Sequence, residues 1–201
     1  MSMRNTNEII SCSDFLEMLK QNKGTITNRA MIIQGDFLTI DGKDMTLDTI
    51  HLEDLTFTGM VTIRGFKNNY IAIILNSSNF LGGLCIEQNV GRHVSITSAK
   101  INWVHLWRCQ LESAFLGNIE AEGIDVSGLQ LSKGLALDEC SFSKLELIHS
   151  STENTIKTPW VKTNDPLVAK QFRLIGVPVF MSTEAVRNMM ENKAKGRRTA
   201  A

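Results

Sequence analysis

The stretch Ile86–Leu131, IEQNVGRHVSITSAKINWVHLWRCQLESAFLGNIEAEGIDVSGLQL, decides how the rest of the chain is read. An apolar residue returns every fifth position along it, at Ile86, Ile96, Ile101, Leu106, Leu111, Leu116, Ala121, Val126 and Leu131, with Gly91 as the one interruption. A second row runs two residues earlier, through Leu84, Val94, Ala99, Val104, Cys109, Ala114, Ile119, Ile124 and Leu129, interrupted at Asn89. An α-helix places its apolar residues three and four apart, and a half-buried strand alternates strictly, so neither has this period. An inward pair repeated every five residues fits a chain that turns a corner every five residues. Each turn of such a solenoid buries its apolar face only against its neighbours.

On the N-terminal side, alternating apolar pairs at Met31/Ile33, Leu38/Ile40, Met45/Leu47, Ile50/Leu52 and Leu55/Phe57 extend the β pattern back to about Thr25, with turn formers at Gly35-Asp36 and Asp41-Gly42. The phase slips by one residue after Met60 and returns near Glu139, and each slip predicts a bulge or an enlarged corner. Arg64, Asn69, Asn79 and Asn89 fall where small apolar residues sit later. Longer sides with a local period of ten explain them better than inward asparagines, because a buried Asn without a full set of partners is costly. Before the β region, Ser13 and Asp14 precede Phe15, Leu16, Met18 and Leu19, with Glu17 three residues after Asp14 and Gly24 as a stop. This predicts a short helix capping the first coil.

The pattern ends near Ser150, and all three prolines, Pro159, Pro166 and Pro178, lie beyond it. Two short helices follow. One starts at Pro166 after Asp165 and runs to Gly176; the other starts at Ser182 or Thr183 and puts Val186, Met189 and Met190 on one face. The chain therefore divides into an N-terminal helical cap (1–24), a β region (25–150) and a C-terminal helical tail (151–201).

With 201 residues and 43% apolar content the chain can bury a sizeable core. Its formal charge is zero but unevenly spread. Nine basic and three acidic side chains lie between Lys157 and Ala201, a balance of +6, leaving −6 on the rest. No run of about eighteen apolar residues and no charged-then-apolar leader occurs. The expectation is no membrane span and a cytoplasmic protein, the same features being compatible with a virion component or an injected effector. Cys12, Cys85, Cys109 and Cys140 lack CxxC spacing and read as buried free thiols.

The units Val94-Ser95-Ile96, Ala99-Lys100-Ile101, Val104-His105-Leu106, Cys109-Gln110-Leu111, Ala114-Phe115-Leu116 and Ile124-Asp125-Val126 resemble those of the pentapeptide-repeat proteins. The resemblance covers roughly residues 45–148, although Asp125 alone has the family's preferred residue at i−1. It implies an all-β solenoid, a right-handed quadrilateral parallel β-helix of about twenty residues per coil. A broader right-handed parallel β-helix is the alternative. Twenty-residue coils would set Arg92 beside Glu112, Lys100 beside Glu120 and His105 beside Asp125, opposite charges one strand apart.

The same spacing aligns Cys85, His105 and Asp125 in an outward column with the composition of a nucleophile, a base and an orienting acid. A convex face offers no oxyanion hole, so the column reads as a surface ladder. The acids Asp36, Asp41, Asp44, Asp48, Glu53 and Asp54 have no calcium-loop spacing and read as a solvated rim. Trp103 and Trp107, expected at neighbouring corners of one coil near Arg108, form a candidate interface, as do Phe172, Val186, Met189 and Met190 in the tail. The expectation is a non-enzymatic interaction or scaffold protein, homodimeric through the tail, with no cofactor, no metal and no nucleic acid. The resemblance supplies one alternative, a DNA-mimicking inhibitor of DNA gyrase, and a β-helix hydrolase or lyase is a second.

Overall fold

Alternating apolar and polar residues give the strands, and they dominate the structure. The computed structural model describes residues 8–27, 29–68, 70–147 and 156–198. The first half contains β1 (Glu8–Ser11), α1 (Cys12–Gln21), β2 (Thr25–Ile26), β3 (Met31–Gln34), β4 (Phe37–Asp41), β5 (Thr49–Glu53), β6 (Leu55–Phe57), β7 (Met60–Arg64), β8 (Ala72–Asn76), β9 (Asn79–Phe80) and β10 (Leu84–Glu87). Then come β11 (Val90–Trp107), β12 (Gln110–Asp125), β13 (Gln130–Asp138), β14 (Ser141–Glu146), β15 (Val161–Thr163), α2 (Pro166–Leu174), β16 (Val179–Phe180) and α3 (Thr183–Arg198). All sixteen strands belong to one sheet, and the described pairings between them are parallel.

Register stacks like on like. Ile50, Ile73, Val94, Ala114 and Leu135 are successive partners along one line, and Leu52, Leu75, Ile96, Leu116 and Leu137 along another. All ten are buried. At roughly 1.5–3 kcal/mol for each large aliphatic side chain, these lines are the main stabilising term. At the first end of the core α1 is capped by Ser11, whose Oγ accepts from the Asp14 amide at 3.2 Å, two residues earlier than Ser13 and Asp14 suggest. It drives Phe15 and Leu19 inward, and Phe15 meets Phe57 edge-on while Phe57 stacks on Phe80.

The expected all-β quadrilateral solenoid, a right-handed parallel β-helix with pentapeptide-repeat sides, is not what forms. The structure is a mixed α/β domain on one 16-stranded sheet with three helices. Strands of 18 and 16 residues, β11 and β12, run through positions where five-residue corners would interrupt them. The backbone enters the left-handed region at Gln88, Ser98, Arg108 and Asn118, with φ between 50° and 53°. These points are ten residues apart, so the chain bends at half the frequency that the apolar rows suggest. The offset between paired strands is also not constant. Leu38 of β4 pairs with Val61 and Val61 with Leu84, twenty-three residues on each time, whereas β11 pairs with β12 twenty residues on. A register shift falls between Leu111 and Ser113 opposite β13, not at Glu139.

Two further details differ from the sequence reading. Asn89 points inward and is fully buried, because its Oδ1 accepts from the Phe66 amide at 3.0 Å and its Nδ2 donates to the Ile63 carbonyl at 2.9 Å. Lys100 bridges Glu120 at 3.0 Å across adjacent strands, but Glu112 takes Lys133 as its partner, at 2.6 Å, instead of Arg92. Asn69 lies outside the described residues.

Beyond β14 the chain is not helical throughout. β15 and β16 add two strands to the sheet. Asp165 caps α2, its Oδ1 accepting from the Leu167 and Val168 amides at 2.7 and 3.2 Å, and Pro166 fills the first turn where no amide is needed.

Candidate functional site

Three columns of outward side chains lie side by side across β4, β7, β10, the second halves of β11 and β12, and β14. Alternation along each strand puts residues i, i+2 and i+4 on this face. The central column contains Thr39, Thr62, Cys85, His105, Asp125 and Glu146, aligned by register. One flank contains Asp41, Arg64, Glu87 and Trp107. The other contains Phe37 and Met60 as neighbours, then Trp103, Gly123 and Lys144.

The central column brings together the three residues of the candidate triad but does not arm them. His105 Nδ1 lies 3.4 Å from Asp125 Oδ2, and Asp125 Oδ1 accepts from the Ser127 amide at 2.8 Å. Burial pushes the Asp125 carboxyl up, but the bonds from His105 and Ser127 outweigh it and hold the carboxyl below its ordinary value. Cys85 goes the other way: burial, Glu87 and Asp125 push its thiol up to about 11. A thiol that stays protonated near neutrality is a poor nucleophile. Among the described residues no hydrogen bond links Cys85 to His105.

The flanks are held by ion pairing and by aromatic rings. Arg64 Nε donates to Asp41 Oδ2 at 2.9 Å and its Nη1 approaches Glu87 at 4.0 Å. The amide of Lys43 is the largest influence holding the Asp41 carboxyl down; partial burial opposes it and Arg64 adds to it. Trp103 stacks on His105 with ring centroids 5.6 Å apart, and Lys144 Nζ sits 5.2 Å from the Trp103 ring. Arg108 lies 4.7 Å over Trp107. Trp107 and Arg108 are in contact, but Trp103 stands apart from them: the two tryptophans lie on one strand on either side of His105, about 13 Å apart at ~3.3 Å per residue, not at neighbouring corners. Both are half-buried.

The acids between Asp36 and Asp54 do not converge. Asp36, Asp44, Asp48 and Asp54 are exposed, while Asp41 is buried against Arg64 and Glu53 accepts from Asn76 at 2.9 Å. Among the described residues no group of three or more His, Cys, Asp or Glu is placed to hold a metal ion. The cavities are open depressions, two of them of about 400 Å³ each beside the Lys100–Glu120 pair. No helix among the described residues is long and apolar enough to cross a membrane.

In the tail the candidate residues separate. Phe172 is fully buried in its own chain, beside Val168 and Ala169 on the inner face of α2. Val186 is half-buried and Met190 is 64% exposed on α3, and the Met189 side chain lies outside those described. Sequence reasoning passed over the outward apolar residues Leu167, Leu174 and Phe180, which are 72%, 76% and 59% exposed. The spacing contained a signal for the first two. They stand seven residues apart, on the opposite side of α2 from Val168 and Phe172.

No family model matches the chain, and no curated protein and no solved structure is similar to it. The pentapeptide-repeat resemblance is therefore corrected by two findings, the missing family match and the ten-residue spacing of the bends. Two readings that depended on it fall with it, a pentapeptide-like scaffold and a gyrase-inhibiting DNA mimic, and the β-helix of the hydrolase or lyase alternative is not what forms.

Proposed function

We propose that this is a non-enzymatic, self-associating protein whose C-terminal helices bind a second copy of the chain. One observation carries the reading: α3 is 16 residues long, and of its side chains at 183–188, 190 and 191 none is buried. An isolated helix shorter than about 12–15 residues is marginal in water, and helices of this length owe most of their stability to packing an apolar face. Val186 and Met190, four apart, lie on one face of α3, the first half-buried and the second exposed. Leu167, Leu174 and Phe180 add outward apolar surface nearby in sequence. The charge distribution suits a second copy, because a tail of +6 meets a body of −6.

The raised Cys85 thiol and the open cavities support a non-catalytic role. Four free thiols, one of them buried and three half-buried, support a reducing compartment, and we place the protein in the cytoplasm. Size-exclusion chromatography with light scattering on the full chain tests self-association. The wild type is expected to run as a dimer, and the double variant Val186→Glu, Met190→Glu as a folded monomer. A monomeric wild type at every concentration overturns the reading.

A further inference from the structure

The two ends of the core are closed differently. At the first end α1 packs on β1, β3 and β4 and leaves Phe15 and Leu19 with no exposure. At the far end α2 packs on β15 and β16. β14 is also an edge: among the described residues it pairs with β12 and with no other strand. Its apolar residues reflect this: Leu145 is half-buried, whereas Ile124, its partner in register, is fully buried, and Phe142 is half-buried as well. Beside Phe142 a cavity of about 230 Å³ reaches toward Val168 of α2.

Charge distinguishes this end from the rest. Between Asp138 and Leu147 the acids Asp138, Glu139 and Glu146 outnumber Lys144, for a balance of −2. In α3, Arg187, Lys193, Lys195, Arg197 and Arg198 outnumber Glu184 and Glu191, for a balance of +3. Pairing α3 with α3 would set like charge against like. Pairing α3 with β14 sets opposite charges together and brings the Val186–Met190 face to the half-buried Phe142 and Leu145.

Building on the self-association proposed above, we infer that α3 of one copy seats on the β14 end of the other, its Val186–Met190 face against Phe142 and Leu145. The exchange is reciprocal, so each copy supplies one helix and receives one. Both sites are then filled and the assembly closes as a two-fold dimer. The contact is partly electrostatic at its rim, and raising salt weakens it by screening.

Photo-cross-linking on the full chain tests the docking. p-Benzoylphenylalanine replaces the exposed Met190, and ¹⁵N-labelled and unlabelled copies are mixed before irradiation. The expected result is heavy-to-light cross-linked peptides joining residue 190 to the segment 138–147. If the protein is dimeric by light scattering but the cross-links join α3 to α3 or map elsewhere, this docking is overturned and self-association stands. Cross-links to 138–147 found within single copies alone overturn the exchange, since α3 then folds back on its own chain. A monomer overturns both.

Discussion

The indole of Trp103 lies across Gly123, its partner in register on the next strand: a Cβ built on Gly123 would stand 2.5 Å from Cη2 and from Cζ3 of the ring. Gly123 is therefore where the ring rests, and the ring covers backbone that no side chain of Gly123 can cover. Within β12 the ring of Phe115 likewise fills the space beside Gly117, and the ring of Trp160 fills that beside Gly134. A pair that spans two strands, as Trp103 and Gly123 do, fixes register as well as packing. Gly123→Ala is expected to cost about 1–3 kcal/mol by overpacking, read from the urea midpoint. In a Trp103→Ala background the same substitution should cost much less. Additive effects of the two changes would show that ring and glycine do not depend on each other.

Asn89 occupies an inward position in an otherwise apolar row and binds two backbone groups, at Ile63 in β7 and at Phe66 just beyond it. Replacing it with Ala leaves the Phe66 amide and the Ile63 carbonyl without partners, at a cost of about 2–4 kcal/mol. Asn79 is half-buried and accepts only a 3.3 Å bond from the Lys100 amide, so Asn79→Ala should cost under about 1 kcal/mol. Equal costs for the two variants in chemical denaturation would contradict the inward placement of Asn89.

Acid should act on Asp125 in a defined direction. Its carboxyl is held below the ordinary value when folded, despite burial, by His105 and Ser127. A carboxyl depressed in this way contributes stability above its unfolded pKa of about 3.9 and loses it as pH falls through the folded value. The stability difference between wild type and Asp125→Asn should therefore be constant from neutrality to about pH 5 and shrink below about pH 4. A difference that persists unchanged to pH 2 would show that Asp125 ionisation is not coupled to folding.

The thiols should be sluggish. Burial pushes Cys85 and Cys140 up to about 11 and Cys109 to about 12. At pH 8 iodoacetamide should label all three far more slowly in the folded protein than in urea, and labelling of Cys85 should accelerate as pH approaches 11. Site-resolved mass spectrometry after timed quenching measures this. Fast modification of Cys85 at neutral pH would restore the nucleophile that the column otherwise lacks.

The inside of this protein was legible because burial leaves a period in the sequence. Val94/Ile96, Val104/Leu106 and Ala114/Leu116 announce which face is inward, and each of these residues is buried. Even Gly91 and Asn89, which break the rows, hold buried positions. A Cβ on Gly91 would run into Ile71, and Asn89 satisfies backbone that an apolar residue would leave bare. The bends were not legible. Gln88, Ser98, Arg108 and Asn118 adopt left-handed backbone without glycine, and four different polar side chains give no common mark. For the candidate site, spacing was enough to align Cys85, His105 and Asp125, but not to reveal that the thiol is protonated or that Trp103 rests on Gly123. Those facts depend on burial and on side-chain direction. In the tail, the seven-residue spacing of Leu167 and Leu174 separates them from Val168 and Phe172, but which of the two sides of α2 is buried depends on packing.

The twenty-residue offset between β11 and β12 makes Ser98 and Asn118 interchangeable stations on the chain, with matching left-handed backbone and in-register neighbours on both sides. Length is thus quantised here. Excising residues 98–117 joins Thr97 directly to Asn118 and presents Ala121 and Ile124 to Phe80 and Leu84 where Ile101 and Val104 stood. A chain shortened by that whole unit should still fold cooperatively. One shortened by five residues, the period of the apolar rows, should not, because the remaining bends would face the wrong way.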